Sequence, residues 1–124
     1  IMEELIARLV ANVGVDRTAA EKSVGVILDF LIKEGPPDKV QSLIDSLPGA
    51  QELLQAQQAE DAGGGGLFAM GGIMGAGAKM MAAGLSMSQV QGVTKETIAF
   101  VREKAGEDAI GEIVDAIPGL GQFI

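Results

Sequence analysis

Histidine, cysteine, tryptophan and tyrosine are all missing from this chain. Without cysteine there is no disulfide framework, no thiolate metal site and no thiol nucleophile. Without histidine the commonest general base and the commonest transition-metal ligand are gone. Four phenylalanines are the only aromatics, 3% of the residues, although 48% of the chain is apolar. A core must therefore be built from Leu, Ile, Val, Ala and Met, side chains that suit closely packed helices. Positive charge is also scarce. Seventeen acids face nine bases, giving a formal charge of −8, and no run of Lys or Arg offers a local exception. Nucleic acid is not expected as a partner, because its phosphates would be repelled, and an anionic membrane surface is disfavoured for the same reason. The start, IMEELIARLV, carries acids where a secretory leader carries bases. The expected location is cytoplasmic, which the lack of cysteine allows.

What is present is repetition. Phe30 to Leu54 reads FLIKEGPPDKVQSLIDSLPGAQELL, and Phe100 to Ile124 reads FVREKAGEDAIGEIVDAIPGLGQFI, without a gap and at a constant offset of 70 residues. Phe30, Asp38, Asp45 and Pro48-Gly49 match Phe100, Asp108, Asp115 and Pro118-Gly119. Val40, Leu43, Ile44 and Leu47 match Ile110, Ile113, Val114 and Ile117, one aliphatic for another. A doubled unit that keeps its apolar positions and its turns is expected to pack against its own copy, about a pseudo-twofold axis that buries both aliphatic stripes together.

Apolar residues recur at three and four, never in strand-like alternation, so the chain reads as all-α. Met2 to Val13 is an amphipathic helix with Glu3 and Glu4 in its first turn, stopped at Gly14. Asp16 caps the next helix, Arg17 to Glu34, which ends at Gly35. Pro36-Pro37 breaks the chain and opens a short helix bearing Val40, Leu43, Ile44 and Leu47. Pro48 breaks it again, and Gln51 to Ala59 is a polar helix. Ser86, with Gln89 three positions on, is a capping box that restarts the pattern in the second half. The expected architecture is one domain, 1–124: a compact helical bundle of two tandem pseudo-repeats, about 14–54 and 84–124, around a central Gly/Met-rich helix. Repeat one is taken as 1–59, the tetraglycine-containing connection as 60–66 and repeat two as 67–124.

The Gly/Met-rich segment LFAMGGIMGAGAKMMAAGL is where a ligand or partner is sought. It is not a Walker loop: Gly77-Ala78-Lys79-Met80 lacks both the glycine before the lysine and the hydroxyl after it. Gly64 to Ala69 formally fits G-x-G-x-x-A, but no strand precedes it. Gly71 and Gly75, continued by Ala78 and Ala82, give the small-residue spacing that lets helices approach closely. Lys79 splits the segment into uncharged flanks shorter than the roughly 20 residues of a membrane span. A buried helix is thus preferred to membrane contact. Met70, Met74, Met80, Met81 and Met87 serve as adaptable core filler or, where exposed, as a groove. With Leu67 and Phe68 they are the candidate surface for a protein partner or an apolar small molecule or lipid. Asp45, Pro48, Gly49, Asp115, Pro118 and Gly119 are read as turn residues, the two acids accepting from turn amides. A symmetric carboxylate pair at Asp45 and Asp115 is the alternative. Ser42, Ser46, Thr94 and Thr97 have no histidine to activate them, and Ser23 with Lys22 has the wrong spacing for one helical face. No cofactor, metal or catalytic set is expected.

Asp45-Ser46-Leu47-Pro48-Gly49 and Asp115-Ala116-Ile117-Pro118-Gly119, with the Gly/Met-rich middle, resemble small all-helical bacterial proteins of the YidB-like kind. The resemblance covers about a third of the chain and implies an all-α fold and bacterial origin, with no activity to carry over. The expected function is a non-enzymatic interaction or self-assembly module, possible homodimers included. The alternative is an apolar-ligand or membrane-contacting protein acting through 67–85.

Overall fold

A computed structural model describes the backbone of residues 2–64, 72–117 and 119–123, and among these the side chains of 2–60, 73–117 and 119–121. The described residues form helices and turns, with no strand among them: α1 (Met2–Val13), α2 (Arg17–Glu34), α3 (Pro37–Asp45), α4 (Ala50–Gly64), α5 (Gly72–Ala82), α6 (Met87–Ala105), α7 (Glu107–Ala116) and the single turn α8 (Leu120–Phe123). The fold is all-α.

The helix boundaries follow local chemistry. Asp16 caps α2 by accepting from the Ala19 amide at 2.7 Å. Ser86 and Gln89 form both bonds of the capping box at the start of α6. The two caps share one backbone conformation, φ −77° and ψ 167°. Left-handed glycines break the chain at matched places: Gly14 and Gly84 before these caps, Gly49 and Gly119 after the aliphatic stripes. Pro37 opens α3 as expected, and Gly106, with φ 99°, separates α6 from α7.

The enclosed helix is α2, not the Gly/Met-rich α5. Every residue from Ser23 to Leu31 is buried, because α1, α3, α4, α5 and α6 all pack on it. The physical reason is composition. The run SVGVILDFL is small or apolar on all sides but for Asp29, so it leaves no face for water. α5 offers glycine and alanine where a central helix needs bulk.

α4 also departs from expectation. It runs through Glu60 to Gly64, the stretch taken from sequence as a connection. It is held along α2 by close approach: a Cβ at Gly25 would stand 2.9 Å from the Leu53 carbonyl oxygen. Farther along, Lys22 Nζ meets Glu60 Oε1 at 2.9 Å.

Around α2 the packing is reciprocal. α1 lies on α6, α5 lies on α2, and α2 and α3 meet their matched helices α6 and α7. Val40 and Ile117, from the two aliphatic stripes, both face Gly35, 3.3 and 3.4 Å from where its Cβ would sit. The α1–α6 contact has a charged outer seam. Arg8 bonds Glu103 at 3.0 Å and Glu96 at 3.3 Å and lies 5.6 Å from the centre of the Phe100 ring. The Glu103 hydrogen bond, with further pull from Glu96, strengthens the guanidinium's hold on its proton.

Two glycine substitutions are expected to move stability in opposite directions. Gly25→Ala drives a methyl into the Leu53 carbonyl and should cost about 1–3 kcal/mol. Gly77→Ala in α5 meets nothing within 4 Å and should gain about 1 kcal/mol of helix propensity. Urea denaturation followed by circular dichroism reads both.

Candidate functional site

The segment singled out from sequence is partly core and partly surface. Of its methionines, Met80 is buried, whereas Met74, Met81 and Met87 are 73%, 46% and 55% exposed. Leu67, Phe68 and Met70 lie outside the described residues, as does Pro118. Met74 and Met81 are seven positions apart, two helical turns on one face of α5, with half-buried Ala78 between them. With exposed Val10 on α1, the three methionines are the large apolar side chains left open to water among the described residues.

α5 differs from α1 at the positions that α1 buries. At the offset of 70, α1 fills the interior with Leu5, Ile6 and Leu9, all buried. α5 has Gly75, Ala76 and Lys79 at those positions. Beneath it a cleft of about 30 Å³ remains between α2, α6 and α8. Its walls are Ile27, Phe30, Leu31, Ile73, Met80 and Ile98, with Thr94 the one polar side chain.

Lys79 brings α5 to a group that pattern reasoning passed over. Asp29 is only 2% exposed in the middle of α2. Its Oδ2 bonds Lys33 Nζ at 2.9 Å and lies 4.0 Å from Lys79 Nζ. Its Oδ1 accepts no hydrogen bond from the described residues. At the matched position α6 has Ala99, so the fold does not demand an acid there. A single acid inside the run VGVILDFLI was the available signal. At the offset of 70, Lys79 and Asp29 thus correspond to Leu9 and Ala99, so an ion pair occupies positions that are aliphatic in the other half.

The remaining candidates form no reaction centre. Asp45 is exposed at the end of α3 and accepts from Gln41 Nε2 at 2.9 Å, not from the turn amides assigned to it. Asp115 is exposed, and no hydrogen bond joins it to a turn amide among the described residues. The turn geometry at Gly49 and Gly119 therefore rests on the glycines themselves. No group of three or more acids that could hold a metal ion occurs among the described residues. Thr94 donates to the Val90 carbonyl at 2.8 Å and Ser23 to that of Ala19 at 2.7 Å, both structural bonds within their helices. A surface groove of about 460 Å³ between α1 and α6 is lined by Asn12, Ser88, Lys95 and Glu96 among others. Glu96 is already engaged by Arg8. No helix among the described residues is long and apolar enough to cross a membrane.

No protein-family model, no curated protein and no solved structure matches this chain. The YidB-like resemblance rests on the two D-x-[LI]-P-G runs and the Gly/Met-rich middle alone.

Removing either partner of the Asp29–Lys79 pair should show which one needs the other. Lys79→Met leaves the buried carboxylate with Lys33 and should cost roughly 1–3 kcal/mol, less than a buried pair broken outright. Asp29→Ala removes the buried charge itself and reproduces the state at Ala99, so it should cost less. The order of the two urea midpoints is the measurement; the reverse order would show that α2 requires the acid.

Proposed function

We propose that this chain is a non-enzymatic helical interaction module whose α5 face docks against a second copy of itself. The observation behind this is the exposure of Met74 and Met81 on one face of α5, with Met87 exposed at the start of α6. Between Asp61 and Lys95 the sequence has one charge, Lys79. Two molecules of formal charge −8 repel each other over most of their surfaces. Contact through the α5 face avoids that repulsion. Methionine adapts its shape to a partner, and the small residues of α5 let a second helix come close. A contiguous exposed apolar patch is also the usual mark of a contact surface in a helical protein.

The internal organisation supports the same reading. Matched caps, matched left-handed glycines and reciprocal packing of α1 on α6 and α5 on α2 favour two copies of one unit related by a pseudo-twofold axis. Such a unit already recognises its own kind within the chain, and α5 is the element on which the copies differ most.

Light scattering coupled to size-exclusion chromatography over a wide concentration range tests the proposal. The mass is expected to rise from 12.7 kDa towards twice that value as concentration increases. A Met74→Glu, Met81→Glu double variant should stay at 12.7 kDa with unchanged helicity. A wild-type chain that remains at the single-chain mass throughout would sink the proposal.

A further inference from the structure

We propose that the cleft beneath α5 is a binding site for the end of an unbranched hydrocarbon chain. This site is distinct from the outward methionine face and does not depend on self-association. The cleft lies between Ile27, Phe30 and Leu31 of α2, Ile73 and Met80 of α5, and Ile98 of α6. None of its lining residues carries a charge. Its one hydroxyl, on Thr94, is already committed to the Val90 carbonyl at 2.8 Å. A ligand group entering here therefore finds neither a charge to neutralise nor a hydrogen-bond partner to satisfy, which selects hydrocarbon.

Size and adaptability narrow the class further. About 30 Å³ is little more than the room a water molecule needs, and an apolar space of that kind stays dry. It admits the methyl end of a slender chain and is too narrow for a ring. On the α5 side the cleft is lined by Ile73, Gly77 and Met80. A Cβ placed at Gly77 would meet nothing within 4 Å, so the cleft is open on that side. Met80 is an unbranched side chain that can swing as the space fills. α5 itself has three glycines in its 11 residues, each about 1 kcal/mol poorer than alanine in a helix. It is therefore a helix that can shift outward at modest cost while Lys79 keeps it near Asp29.

Methionine methyl resonances separate this site from the surface. With ¹³C-methyl-methionine in the full chain and 1-decanol as the probe, the Met80 signal is expected to shift saturably. The Met74, Met81 and Met87 signals should stay in place. Gly77→Leu fills the cleft and should abolish the Met80 response. Should that variant lose its helicity, Gly77→Ala should weaken decanol binding severalfold while raising the urea midpoint. A second arm uses phosphatidylcholine vesicles. A Met80 shift with decanol alone assigns the site to a free amphiphile; a shift with both assigns it to a lipid tail. An unmoved Met80 signal, or an equal response in Gly77→Leu, overturns the proposal. Shifts confined to Met74 and Met81 would overturn it too, while leaving the outward face as a contact surface.

Discussion

At Gly25 the backbone of α2 runs so close to α4 that a methyl group would stand 2.9 Å from the Leu53 carbonyl oxygen. That contact is the tightest expression of the constraint that organises the molecule: the middle of α2, Ser23 to Leu31, is closed off from water on all sides. A helix without a wet face needs neighbours around its whole circumference, and five helices supply them. The neighbours must also come close, since aromatic bulk is nearly absent and small side chains fill space only at short range. Gly25, Ala19 and Ala20 let them do so. α4, which makes the close approach at Leu53, runs from Ala50 to Gly64.

The sequence announced the helices more faithfully than their arrangement. Boundaries at Gly14, Asp16, Gly35, Pro37 and Ser86 were readable because each depends on a residue's own backbone chemistry. Which helix lies innermost is a property of all of them together. The burial of Val26 and Phe30 depends on the five helices packed around α2. Glu60 to Gly64 looked like a connection because glycine is a poor helix former, yet α4 continues through it. The candidate surface was half legible. Methionine and glycine marked the segment, but whether a given methionine points inward depends on the rotation of α5 about its axis. Met80 and Met81 are adjacent in sequence and opposite in burial.

The two halves share caps, turns and stripes, and they part ways at three places that belong together. Where α2 has Gly25 under α4, α6 has the exposed Lys95. Where α2 has the buried Asp29, α6 has Ala99, and where α1 has Leu9, α5 has Lys79. The first difference follows from the long α4, which covers α2 and leaves the matching side of α6 in water. The other two are coupled to each other. An acid among apolar side chains is costly alone, and a lysine at a seat made for leucine is also costly alone. Placed 4.0 Å apart they offset one another in part. The pair joins α5 to α2 alongside the apolar contacts of Ile73 and Met80.

That substitution has a consequence for how α5 can behave. Aliphatic burial grips a helix over its whole length and falls off only when the surfaces separate. The Asp29–Lys79 pair adds one polar link to the apolar contacts that Ile73 and buried Met80 make beside α2. Outward, α5 carries exposed Met74 and Met81. Three glycines in its 11 residues lower its intrinsic helix preference, so it can adapt to something laid against either side of it. The rest of the molecule, with α2 enclosed and its caps formed, supplies the rigid frame against which such an adaptable helix can work.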